Sequence, residues 1–191
     1  MKKENKNKIA IIGHTKGIGK AVASLYKNNG YEVMGFSRSN GYDIAKDQTK
    51  IIDALHDCDL VVLNAYSGTA QFEMLKKMYT AFHSVPKKIA VITSTSGTES
   101  GIDEDIDNAE YKTYCANKKQ LIGYISDMQQ DLFNKPLSVY DVCPDVVDTD
   151  MIKGMWQNLP KLKTEEVADA VKYCFESSFN VNKIVIQKNV S

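Results

Sequence analysis

Six short apolar runs, spaced by longer amphipathic stretches, restrict this chain more than any other feature. In order they read "KIAII", "YEVMGF", "DLVVLNA", "KKIAVITS", "LSVYDVC" and "KIVIQ". Strands of a parallel sheet covered on both faces are apolar along their whole length rather than at alternate positions. The β-α rhythm therefore predicts a doubly wound, Rossmann-type α/β fold: a parallel sheet in a three-layer helix–sheet–helix arrangement. Ile18, Val22, Leu25 and Tyr26 recur at helical spacing after the first run, as do Leu121, Ile125, Met128 and Leu132 after the fourth. Both stripes are expected in the core. Pro86, Pro136, Pro144 and Pro160 fall between predicted elements, and there is no repeat, low-complexity tract or Pro/Gly-rich linker. One domain over residues 1–191 is expected, long enough to build a core without disulfides or metals.

Charge and cysteine usage exclude several classes. Lysine plus arginine total 24 and aspartate plus glutamate total 24, so there is no net field to recruit nucleic acid or an anionic membrane. No apolar run reaches the length of about 20 residues that spans a bilayer. Cys58, Cys115, Cys143 and Cys174 lack C-x-x-C spacing and follow no secretory leader, as expected of reduced thiols in a cytoplasmic protein. His14, His56 and His83 form no metal-ligand cluster in the sequence, and no metal is expected.

The first candidate site is "IAIIGHTKGIGKAVASLY", which puts Gly13, Gly17 and Gly19 between a strand and a helix. Glycines let the backbone turn tightly and approach a pyrophosphate, and the helix N-terminus offers free N–H groups. The spacing G-x-x-x-G-x-G resembles that of the short-chain dehydrogenase/reductase family, with Ile12 in place of the family's threonine before the first glycine. The resemblance makes Gly13, Thr15, Lys16, Gly17, Ile18 and Gly19 the expected phosphate cradle of a dinucleotide. The second strand ends in "GFSRS", where an acidic residue would bind the ribose of NAD and repel a 2′-phosphate. Ser37 and Arg38 stand there instead, and Lys16 adds charge, so NADP(H) is expected ahead of NAD(H). In "YDI", Asp43 and Ile44 resemble the family's pair flanking the adenine ring, and in "VVLNA" Asn64 and Ala65 resemble its segment beside the cofactor.

Further motifs follow in the family's order: "VITSTSG" ending a strand, "YCANK" opening a helix, "CPDVVDTDM" after the strand "LSVYDVC", and "TEEVADAV" opening the last helix. Tyr114 and Lys118, four apart, lie on one helix face and match the family's Y-x-x-x-K signature. The resemblance implies an NADPH-dependent oxidoreductase, acting on a small carbonyl or alcohol, as a cytoplasmic homodimer or homotetramer. Carbonyl reduction needs an acid aimed at oxygen and a donor to polarise it. Tyr114 is the expected acid/base, Lys118 the cation that lowers its pKa and holds the nicotinamide ribose, and Ser94 the donor, with Ser96 its rival by register. Pro144, Val147 and Thr149 of "PDVVDT" resemble the segment that holds the carboxamide, with Asp145 replacing a glycine. The family's asparagine on the helix before "KKIAVITS" has no counterpart in "GTAQFEMLKKMYTAFHSV". That departure, and a short segment 150–163 where Met151, Met155, Trp156 and Leu159 offer an apolar face, leave a second reading open: a cofactor-binding sensor or scaffold. Tyr111, Lys112 and Lys119 read as a solvated helix face.

Overall fold

The structure, a computed structural model, describes residues 7–98 and 108–189. The apolar runs become strands β1 (Lys8–Ile12), β2 (Glu32–Phe36), β3 (Leu60–Leu63), β4 (Lys87–Ile92), β5 (Leu137–Pro144) and β6 (Lys183–Ile186). The stretches between them supply helices α1 (Gly17–Asn28), α2 (Gln48–Leu55), α3 (Ala70–Phe82), α4 (Ala109–Asp131) and α5 (Thr164–Glu176). All strand pairs are parallel, in the order β2-β1-β3-β4-β5-β6.

Alternate strand residues feed two cores. Ile9 and Ile11 of β1 face α1 and α5, together with Val22, Tyr26, Val167 and Val171. Ala10 and Ile12 face the layer of α2, α3 and α4, with Ile51, Met74, Met78, Leu121, Ile125 and Met128. Because side chains of a strand alternate between faces, apolar residues at every position demand helices on both sides. The fold is thus the expected three-layer Rossmann type. Both predicted helical stripes are inward, although Ile18 and Leu25 are only partly buried.

The first half of the sheet is shorter than the 3-2-1-4-5-6 order of a full dinucleotide-binding fold. After β2 the chain makes a 3-10 turn at Arg38–Asn40, runs through α2, and enters β3 on the far side of β1. The edge therefore ends at β2. The winding direction still reverses between β1 and β3, and ligands of open α/β sheets bind at such a switch point, beyond the C-terminal strand ends.

Candidate active site

Four strand ends and three helix starts converge at that reversal. β1 ends on Gly13, whose φ of 89° lies in the left-handed region that glycine tolerates. Its N–H donates to the Phe36 carbonyl at 2.7 Å, and its carbonyl accepts from Asn64 Nδ2 at 2.9 Å. The loop is then pressed against its own helix: a Cβ on Gly19 would lie 2.0 Å from the Gly13 oxygen. The His14 ring covers Gly35 of β2, where a Cβ would come within 2.4 Å of it. No side chain caps the start of α1, and its first turn holds no acidic residue. That leaves free N–H groups and the positive end of the helix dipole beside a backbone cradle, a combination suited to phosphate oxygens.

Asn64 and Ala65 leave the β3 ladder by donating both their N–H groups to the Ile12 carbonyl, at 3.1 and 2.9 Å. This ties the "NA" segment to the end of β1. Across the cradle, the Thr149 methyl would sit 3.2 Å from a Cβ on Gly17, so the turn after β5 abuts the glycine loop. That turn is braced by a bridge of Val147 to Leu162 and by Asp148 N–H donating to the Leu162 carbonyl at 2.9 Å. Pro144, buried, closes β5 opposite Ile186. Asp145 also finds a partner: Thr95 Oγ1 donates to its carboxylate at 2.9 Å.

Tyr114 lies on the first turns of α4, a helix started by Asn108, whose side chain accepts the Tyr111 N–H at 3.0 Å. Ser94, buried at the end of β4, accepts the Ser96 N–H at 3.2 Å and lies near enough to Tyr114 to draw its pKa down, while Ser96 Oγ accepts from the Tyr111 hydroxyl at 3.3 Å. The two serines therefore have different tyrosines. Lys118 is 3% exposed and donates to Gln71 Oε1 and the Ile92 carbonyl, both at 2.9 Å. Its Nζ lies 5.6 Å from the ring centres of both Tyr66 and Tyr114. Burial pushes the ammonium down to about 7, opposed by the charge of Asp141. Asp141, itself buried, accepts from Thr93 Oγ1 and pairs with Lys183 at 3.4 Å.

The expectation that Lys118 draws the phenol's pKa down is not met in this arrangement. Burial raises Tyr114 to about 12, and only Ser94 pulls it back. The ammonium is turned toward Gln71 Oε1 and the Ile92 carbonyl and lies 5.6 Å from the ring centre, and burial of the phenol is the larger effect.

At the adenosine end, Ser37 and Arg38 sit at the tip of β2, with Arg38 exposed at the start of the 3-10 turn. The Ser37 N–H donates to Asn40 Oδ1 at 2.8 Å, which fixes the tip. Lys16 points elsewhere, pairing with Asp150 at 3.6 Å on the surface. Such exposed pairs contribute at most about 1 kcal/mol. Ile44 is buried in the core beside Phe36, so it offers no open face to a ring. Asp43 Oδ1 accepts the Ala45 N–H at 2.9 Å and shapes the turn.

The fold has counterparts among solved structures. A short-chain dehydrogenase of Burkholderia cenocepacia, solved with NADP, superposes with a TM-score of 0.76 over 95% of this chain and 88% of the other, at 16% identity. A 3-alpha-hydroxysteroid dehydrogenase of Pseudomonas, complexed with NADH, gives 0.75 over 94% of each chain at 17% identity. A 3-ketoacyl-(acyl-carrier-protein) reductase of Brucella melitensis, also with NADH, gives 0.76 over 94% and 96% at 15% identity. The chain has the short-chain dehydrogenase fold. No family model matches the sequence, and no curated protein matches it.

Within that fold, several residues at the site carry little signal in the sequence. Tyr111 is not a solvated residue: its ring stacks on Tyr114 at 6.4 Å and meets Trp156 edge-on at 5.5 Å. Its spacing of three from Tyr114 on a helix is the signal that could have found it. Tyr66 packs edge-on to Tyr114 at 4.9 Å and is held by Asn117 Nδ2 at 3.1 Å. Of the expected apolar face on segment 150–163, Trp156 reaches the site with φ 45°, whereas Met151 and Leu159 are exposed. Gln71 and Asp141 complete the surroundings of Lys118. Among the described residues no His/Cys/Asp/Glu group could hold a metal, all four cysteines are free thiols, and no helix is long and apolar enough to cross a membrane.

Proposed function

We propose that this protein is an NADPH-dependent oxidoreductase that reduces a small carbonyl compound to an alcohol. The observation that carries the reading is the convergence of buried Ser94, the Tyr114 phenol and buried Lys118, whose Nζ lies 5.6 Å from the phenol ring centre, at the strand ends beside an uncapped glycine cradle. The residues fit a dinucleotide: Gly13, Gly17 and Gly19 with Thr15, Lys16 and Ile18 would hold its phosphates, Ser37 and Arg38 its adenosine end, and Asn64, Ala65, Pro144, Val147 and Thr149 its nicotinamide half. When bound, the reduced nicotinamide would supply the hydride, two electrons and one hydrogen, to the carbonyl carbon.

Tyr114 supplies the balancing proton to the oxygen. With its pKa raised to about 12, the phenol keeps that proton at neutral pH, the state required for reduction and the wrong one for oxidation. Ser94 donates to the same oxygen and polarises it as negative charge develops. Lys118, buried beside the Tyr114 ring, would hold the ribose hydroxyls of the nicotinamide half, as the family resemblance implies, and keep positive charge near the phenol. Tyr66, Tyr111 and Trp156 wall the phenol with aromatic surface, which excludes water from the reacting atoms.

A titration of protein fluorescence with NADPH and NADH, followed by a carbonyl panel, tests the reading. Tyr114→Phe is expected to leave NADPH affinity within about twofold and to lower kcat by about 10²–10⁴-fold, the usual contribution of a positioned acid. Undiminished turnover in this variant would sink the proposal. Tight NADPH binding by the unaltered protein with no turnover across the panel would favour the sensor reading.

A further inference from the structure

Gln71 is a buried polar residue that the proposed chemistry does not use. It occupies the second position of α3, is 2% exposed, and makes three hydrogen bonds. Nε2 donates to the Leu63 carbonyl at 3.1 Å and to the Ile92 carbonyl at 3.0 Å, and Oε1 accepts from Lys118 Nζ at 2.9 Å. Leu63 ends β3, and Ile92 lies one residue beyond the β3–β4 ladder, which closes at Leu63 and Val91. A primary amide has two donors on one side and an acceptor on the other. Two carbonyls on the strand side admit only the NH₂ group there, so the amide oxygen is forced toward the ammonium. The sheet thereby orients the glutamine, and the glutamine orients the lysine.

We propose that Gln71 is the positioning residue that fixes Lys118 beneath the Tyr114 ring and holds its ammonium in a dry site. The inference rests on the reading of Tyr114 and Lys118 as the working pair. An ammonium has three donors, of which two are engaged by Gln71 and Ile92, so the third is left for a ligand. Gln71 also lies in segment 68–85, the stretch in which the family resemblance calls for an asparagine that is not there. A side chain longer by one methylene spans directly from α3 to the lysine.

The groups that can titrate around Lys118 are Asp141 and Cys143 of β5, Tyr114 of α4, and Tyr66 after β3. A shift of its pKa must therefore be read against variants of Gln71 alone. The experiment is an NMR titration of the protein carrying ¹³Cε-labelled lysine, with the Lys118 resonance assigned by its loss in Lys118→Arg. In Gln71→Leu the ammonium loses an acceptor, and its pKa is expected to fall by about one unit or more. In Gln71→Glu it gains a counter-charge, and the pKa is expected to rise by about as much.

A merely structural role for Gln71 would lower Tm in both variants and leave the Lys118 titration in place; that result overturns the proposal. If Gln71→Leu does not fold, the nearly isosteric Gln71→Glu decides alone, an unmoved titration again overturning it. With substrate in hand, Gln71→Leu should lower kcat about tenfold or more with KM little changed, and should displace the pH profile in step with the Lys118 resonance. Because the NMR titration needs neither cofactor nor substrate, an inactive unaltered protein would defeat the proposed function and leave this test standing.

Discussion

Lys87 and Lys118 are both buried, at opposite ends of β4, and only one of them sits where chemistry is possible. They are 4% and 3% exposed, and burial pushes both below the usual lysine pKa. Lys87 donates to the carbonyls of Leu55 and Cys58 where α2 ends, and its Nζ lies 4.7 Å from the Phe82 ring centre. Those partners are backbone and core, at the N-terminal strand ends. Lys118 instead meets a side-chain amide, two phenol rings and the field of Asp141, at the C-terminal ends beside the glycine cradle. Burial with a lowered pKa is thus insufficient as a mark of function. The end of the sheet and the neighbouring donors decide.

The sharpest way to break this contrast is to replace each lysine by methionine. Lys118→Met is expected to lower kcat by about 10³-fold or more, since it removes a group that acts only in the proposed chemistry. Its stability should fall by about 1–3 kcal/mol, because Gln71 Oε1 is left buried without a donor, while the Ile92 carbonyl keeps the Gln71 amide. Lys87→Met should leave turnover unchanged within about twofold, with a loss of about 2–4 kcal/mol as two buried carbonyls lose their donor. Steady-state kinetics and urea unfolding read both, and similar effects on turnover at the two sites would erase the distinction.

The glycine cradle is the next largest difference between the ends. In Gly19→Ala the new methyl would collide with the Gly13 carbonyl, a backbone atom that cannot swing away. NADPH affinity is expected to fall by about 100-fold or more while the chain stays folded, since about 3 kcal/mol of binding depends on the loop's close approach to phosphate. Fluorescence titration with circular dichroism as a folding control would measure it. Arg38→Ala is a smaller perturbation at the same end. Lys16 is engaged with Asp150, so Arg38 is the cation at the β2 tip, and its loss should reduce the NADPH-over-NADH preference by about 30-fold. An unchanged ratio would remove Arg38 from 2′-phosphate recognition.

What the sequence disclosed follows the locality of each feature. Strands and the cradle were legible because apolar runs and glycine spacing are local patterns whose geometry is set within a few residues. The short edge at β2 agrees with the same pattern, since no apolar run of strand character lies between Phe36 and Leu60, but it went unremarked among the expectations. The surroundings of Lys118 were not. Gln71 is 47 positions from its lysine and meets it only because α3 and α4 pack side by side over the ends of β3 and β4. A glutamine in "GTAQFEM" gives no local sign that it will be buried. Asp141 sits in an apolar run where a carboxylate should be costly, and that conflict between pattern and residue was the one available clue. Ser94 and Ser96 could be separated only once their tyrosine partners were in space.

The smallest expected effect is on pH-dependent stability, and it divides the two lysines again. Lys118 titrates at about 7 in the folded protein against 10.5 when unfolded, so between those values the unfolded chain holds a proton that the folded chain has released. Stability then rises with pH. From about pH 7 to about pH 8.5 the contribution is about 1.5 kcal/mol, or a rise in Tm of roughly 3–6 °C for a chain of this length. Lys87 is lowered in the same direction and adds with the same sign. The thiols of Cys58, Cys143 and Cys174 and the Tyr114 phenol are raised, and they oppose the trend only at more alkaline pH, where their unfolded counterparts ionise. Asp141, raised by burial from 3.8, acts in the acid range. Lys118→Met should therefore flatten much of the neutral-to-alkaline rise in Tm, whereas Lys87→Met lowers the whole curve and retains the Lys118 share of its slope. A wild-type Tm that is flat across this interval would mean that Asp141 and Gln71 hold the Lys118 ammonium charged well above neutrality. The lysine would then act as a fixed cation beside Tyr114.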